Sequence, residues 1–121
     1  MNLKKLGLVA DIITGFPFES DLYDNKGVKV VRGENISEGY VRWDNKKCWS
    51  IPFERTDYYS LKPDDIVIGM DGSKVGKNKA RIFESDLPIL LAQRVACVRA
   101  KKMLIKFFYI TVLIILDLKN I

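Results

Sequence analysis

The chain contains no histidine. That removes the commonest general base and the commonest metal ligand. It also excludes a Ser-His-Asp or Cys-His pair built within the chain. Cysteine is almost as scarce. Cys48 and Cys97 lie far apart with no CxxC spacing, which argues against a zinc site. Each is flanked by apolar or aromatic residues and reads as a buried free thiol in a reducing cytoplasm. A disulfide between them stays open at this level. Long apolar runs are missing too. The opening Met1-Asn2-Leu3-Lys4-Lys5-Leu6 has no long apolar stretch behind its lysines, and Asp11 interrupts early, so no signal peptide is expected. Phe107–Leu116 is the longest uncharged stretch near the C-terminus. As a helix it spans about 15 Å, about half a hydrocarbon core, too short to cross a membrane. It is expected to be a buried helix or strand, or an association surface if nothing covers it. No repeat, low-complexity tract or linker divides the chain.

What is present is the composition of a globular domain: 121 residues, 48% hydrophobic and 29% charged, with a net charge of +5. One domain, or part of one, with a real core is expected. The positive balance is compatible with an anionic partner and equally with the spare lysines of an ordinary soluble domain.

A coarse reading gives strands over most of the chain. Val9–Thr14 reads as a first strand, followed by a loop at Gly15–Ser20 in which Pro17 fixes the backbone and Gly15 permits a sharp exit. Val28–Arg32 and Tyr40–Trp43 read as strands, Cys48–Ile51 as a short further one, and Pro52–Tyr59 as a helix. Lys62-Pro63-Asp64-Asp65 is a turn, and Asp is expected there for backbone bonding. Pro88–Arg99 reads as a mostly buried strand, interrupted by Gln93-Arg94. The expected class is α+β: a single compact domain with a twisted, mainly antiparallel sheet, a few short helices and a C-terminal apolar helix. Residues 1–103 would form the domain and 104–121 the apolar segment.

The stretch GMDGSKVGKNKARIF, residues 69–83, first invites comparison with a nucleotide-binding loop. The spacing fails. Gly72 and Gly76 are a residue too close for the phosphate loop, and Asn78 stands where the magnesium-binding hydroxyl belongs. Such a loop must also open a helix. Instead, the β-branched run Asp65–Met70 leads into it, and Lys79–Glu84 leaves it alternating like a strand. The segment therefore reads as strand, glycine-rich turn, strand. Lys74, Lys77, Lys79 and Arg81 give it four positive charges with no acid among residues 72–81. On a strand, 77, 79 and 81 share one face, where three cations repel unless an anion sits there. The alternative is a solvated edge strand whose lysines block aggregation.

Other polar residues beside turns suit base edges. Arg32 and Asn35 flank Gly33, and Gln93-Arg94 breaks an apolar run. Arg can read guanine and Asn can read adenine in a major groove. The structural alternative is that Gln93 bonds nearby backbone and Arg94 pairs with an acid. Trp43 and Trp49 read as core. A metal-dependent hydrolase built on Asp64, Asp65 and Asp71 is the weakest alternative, because all three lie in turns.

A series of segments resembles a known family. Leu6-Gly7 with Ala10–Gly15 and Phe18-Glu19-Ser20 comes first. Val30–Ile36, Leu61–Val67, Met70-Asp71-Gly72 with Val75-Gly76-Lys77, and Leu90–Val95 come after it in order. Together they resemble the target recognition domain of the specificity subunit of type I restriction-modification enzymes. The resemblance implies a cytoplasmic domain that reads one half of a split target on double-stranded DNA. It implies no catalysis and no cofactor in this chain, with methylation and cleavage left to methyltransferase and restriction subunits. It makes the glycine-rich hairpin and the Phe16–Ser20 loop DNA-facing. The expected DNA-binding residues are thus Lys74, Lys77, Asn78, Lys79, Arg81, Arg32, Asn35, Gln93, Arg94 and Ser20. After Lys101 the family continues further, whereas this chain reads as truncated in its apolar tail. That tail raises a rival expectation: an interaction module that forms a homodimer through it, or pairs with restriction-modification subunits.

Overall fold

The structure, a computed structural model, describes residues 10–71 and 77–101. Its elements in chain order are β1 (Ala10–Thr14), β2 (Val28–Val31), β3 (Cys48–Trp49), α1 (Thr56–Tyr59), β4 (Ile66–Gly69), β5 (Lys79–Arg81), β6 (Ile89–Leu91) and β7 (Val95–Ala100). Single turns of 3-10 helix at Ser20–Leu22, Gly33–Asn35 and Glu84–Asp86 punctuate the loops.

The strand with the most continuous apolar character lies inside a sheet. β4 reads Ile-Val-Ile-Gly and is buried along its length, as expected of a strand covered on both faces. It pairs antiparallel with β7 on one side and β5 on the other, and β1 completes the order β1-β7-β4-β5. β1 runs against β7 from Ala10↔Ala100 to Thr14↔Ala96. The β4–β5 hairpin expected from the sequence is present, with Val67 opposite Ala80.

A second sheet has the order β3-β2-β6. There β2 and β6 are parallel, with Val30 beside Leu90 and Val31 beside Leu91. Adjacent residues on a strand face opposite sides, and here each side meets apolar packing. Val31 and Leu91 join the main core of Ile13, Val67, Ile82 and Cys97. Val30 and Leu90 face Trp49 and the rings of Phe18, Tyr23, Phe53 and Tyr59. Burying one such aliphatic side chain contributes about 1.5–3 kcal/mol. Both cysteines are buried and unbridged. Trp49 lies in the aromatic cluster and Trp43 packs against the main core.

The mainly antiparallel α+β architecture matches the sequence expectation, with three local differences. Pro88–Arg99 is two strands, not one: β6 belongs to the second sheet and β7 to the first. Gln93 and Arg94 are exposed at the corner between them, because a buried strand cannot carry two large polar side chains in succession without partners. Tyr40–Trp43 forms no strand, only an isolated Ile36↔Val41 bridge. The helix expected over Pro52–Tyr59 is confined to α1, where Thr56 Oγ1 donates to the Phe53 carbonyl at 2.7 Å. The apolar segment 104–121, and any helix in it, lies outside the described residues.

Candidate nucleic-acid interface

The β6–β7 corner is fixed by the loop that leaves β1. Gly15 N donates to the Val95 carbonyl and Phe16 N to the Leu91 carbonyl, each at 3.0 Å. Gln93 N donates back to the Phe16 carbonyl, also at 3.0 Å. Gly15 is required for this approach: a Cβ there would sit 2.1 Å from the Ala92 carbonyl carbon and oxygen. The corner is tied to the hairpin as well. Met70 N donates to the Arg94 carbonyl at 3.1 Å, and Gly69 N to the Asn78 carbonyl at 2.8 Å.

These restraints bring separate parts of the chain to one cleft of about 530 Å³. Five of the residues expected to bind DNA line it: Ser20, Arg32, Asn78, Gln93 and Arg94. Phe18, Tyr23, Glu34 and Asp71 line it with them. Ser20 arrives on the 3-10 turn after Phe18, Arg32 at the end of β2, Asn78 at the start of β5, and Gln93 and Arg94 on the corner.

The cleft is charged but balanced. Arg32 Nη1 donates to Glu34 Oε1, and the Arg32 guanidinium lies 5.8 Å from the centre of the Tyr23 ring. Burial pushes the Tyr23 phenol above its ordinary value; Arg32 opposes this and Glu34 adds to it. Arg94 Nη1 lies 3.7 Å from Asp71 Oδ1, with both side chains largely exposed.

The other expected residues are placed differently. Asn35 is only 1% exposed. Its Oδ1 accepts from Arg32 N at 3.0 Å and its Nδ2 donates to the Arg42 carbonyl at 3.1 Å. Asn35 therefore ties together the 32–42 loop and has no free edge for a base. Lys79 is 8% exposed, with its backbone bridged to Glu38. Arg81 Nε donates to Asp64 Oδ1 at 2.8 Å, and its guanidinium lies over the Phe83 ring at 5.2 Å. The counter-charge of Arg81 thus comes from Asp64, 17 positions before it. Lys77, next to Asn78 in the chain, is exposed, and Lys74 lies outside the described residues.

The three aspartates considered as metal ligands have other partners. Asp64 holds Arg81, Asp71 faces Arg94, and buried Asp65 accepts from Arg99 Nε and Nη2, each at 2.9 Å. The hydrogen bond from Arg99 to Asp65 is the main reason the Arg99 pKa is raised; burial opposes it.

Phe18, Tyr23, Gly33, Glu34 and Gly69 line the cleft without being among the residues expected to bind DNA, and Asp71 was expected only as a turn residue or metal ligand. Phe18 lies in the loop expected to face DNA, and Glu34 comes directly after Gly33, so adjacency to residues expected at DNA is the signal in the sequence. Tyr23 carried none.

Subunits of type I restriction-modification systems share this fold. The HsdS subunit from Thermoanaerobacter tengcongensis superposes with a TM-score of 0.65 over 93% of this chain and 27% of that one, at 20% identity. A chain from a structural study of complex assembly and conformational transition in the type I R-M system gives 0.61 over 89% of this chain and 26% of that one, at 22% identity. The type I restriction enzyme EcoAI specificity subunit of Escherichia coli is 36% identical over 97 residues. The chain is thus a domain of the type I specificity-subunit family. That alignment takes in 76% of this chain and 16% of the EcoAI subunit. No family model matches the chain.

Proposed function

We propose that this chain binds double-stranded DNA sequence-specifically and performs no chemistry itself, with methylation and cleavage belonging to partner methyltransferase and restriction subunits. One observation carries the reading: Ser20, Arg32, Asn78, Gln93 and Arg94, from separate chain segments, meet at a single cleft. Their chemistry suits base edges. Arginine donates in pairs to guanine O6 and N7, and an amide both donates to and accepts from adenine. Gln93 and Arg94 are the foremost base-reading residues, because both are exposed on a corner with a hydrogen-bonded backbone. Lys77, which is exposed, and Lys74 contact phosphates, which position the domain without choosing sequence. The proposed site of action is the cytoplasm. Among the described residues no helix is long and apolar enough to cross a membrane.

Selection from a random duplex pool tests the reading. Repeated capture by the purified chain should enrich a short common sequence. A pool that stays random after several rounds, with retention no better than on bare resin, would reject it.

A further inference from the structure

Each of the two cleft arginines has a carboxylate neighbour, and Arg32 Nη2 donates in addition to the Asn45 carbonyl at 2.5 Å. Arg32 is bonded to Glu34, and Arg94 faces Asp71 at 3.7 Å. The two pairs lie close together: a Cβ placed on Gly33 would sit 3.9 Å from Asp71 Oδ2. The pairs also differ in exposure. The Arg32 side chain is 12% exposed, whereas Arg94 and Asp71 are 73% and 67% exposed.

We infer that Asp71, seconded by Glu34, is a specificity-determining residue that keeps Arg94 off phosphates and reserves it for a base edge. This role rests on the proposed DNA binding. Its basis is electrostatic. A bare arginine binds any phosphate on any sequence, and the released counterions reward it irrespective of the bases. A carboxylate beside that arginine cancels its charge and repels an approaching phosphate. A base edge is neutral and meets no such repulsion. It can satisfy both partners at once, since guanine accepts from arginine while the cytosine N4 amino group donates to a carboxylate. The matched ligand is therefore a duplex with a G·C pair at the cleft. Asp71 acts on Arg94 through an exposed pair that can open, while Glu34 holds the more enclosed Arg32 and also accepts from Asn45 Nδ2 at 3.0 Å.

The test compares wild type, Asp71→Asn and Asp71→Glu on a selected duplex and on a scrambled one, across a salt series. Asp71→Asn should bind the scrambled duplex more tightly and discriminate less. Its log-affinity against log-salt slope should steepen by about 0.9, so that a fourfold rise in salt costs about 3.5-fold more affinity than in wild type. Asp71→Glu should keep the wild-type slope. A Glu34→Gln variant with an unchanged melting temperature should move in the same direction as Asp71→Asn. Unaltered slope and discrimination in Asp71→Asn, with wild type binding DNA normally, overturn this inference alone. Failure of wild type to bind any duplex overturns the inference together with the reading it rests on.

Discussion

Gly15 and Ala92 approach so closely that a single added methyl at position 15 would overlap the Ala92 carbonyl group at 2.1 Å. The same contact sets Gln93 in place, because Gln93 N donates to the neighbouring Phe16 carbonyl. Gly15→Ala should therefore lower stability by about 1–3 kcal/mol, the usual range for forcing an extra methyl into a packed site. It should also shift the corner that carries Gln93 and Arg94. Urea unfolding and amide spectra of residues 91–95 check both effects. A variant as stable as wild type would mean that the backbone gives way freely there.

The consecutive residues Asp64 and Asp65 hold arginines from different strands, and their burial separates the consequences. Asp65 is 1% exposed and accepts from Arg99 twice, and also from Lys62 N at 2.7 Å. Asp65→Asn leaves Arg99 without its counter-charge, and removing one partner of such a pair costs about 3 kcal/mol. Asp64 and Arg81 are each 32% exposed, so solvent screens them, and Asp64→Asn should cost no more than about 1 kcal/mol. Denaturation midpoints of the two variants should differ in that order; equal losses would contradict the contrast.

Burial raises the Cys97 thiol well above its ordinary value of 9.0, with Asp65 adding to the rise and Arg99 opposing it. The native chain keeps this proton where the unfolded chain releases it. Stability present below about pH 9 should accordingly decline as pH rises beyond that value, since the unfolded state there binds fewer protons. Cys97→Ala should remove this part of the decline. Urea midpoints at a series of alkaline pH values give the comparison. Parallel curves for wild type and variant would show that the thiol contributes nothing.

The legible parts of the fold were those written in local pattern. The β4–β5 hairpin comes from a β-branched run, a glycine-rich turn and an alternating segment, all within about 20 residues. The break at Gln93-Arg94 was also visible, as polar residues inside an apolar run. Its meaning was not, since a strand that changes sheets looks locally like one interrupted strand. Asn35 illustrates the opposite difficulty. Beside a turn glycine it reads as an exposed donor, yet its amide binds backbone at Arg32 and Arg42. The partnership of Arg81 with Asp64 was equally hidden. It depends on the hairpin register and on Asp64 adopting a φ of 71°, a left-handed conformation that Asp tolerates better than most residues. Alternation placed Lys77, Lys79 and Arg81 on one face but could not tell which of them would be buried or paired.

The proposed division of labour gives the choice of sequence to the β6–β7 corner and leaves Lys77 to hold the duplex. Titrating a selected duplex and a scrambled one with wild type, with Gln93→Ala/Arg94→Ala and with Lys77→Glu measures this directly. The corner double variant should lose about 2–6 kcal/mol of preference for the selected duplex, two base contacts at the usual value, while still binding the scrambled one. Lys77→Glu should weaken binding to both duplexes alike. Undiminished preference in the corner variant would exclude that division.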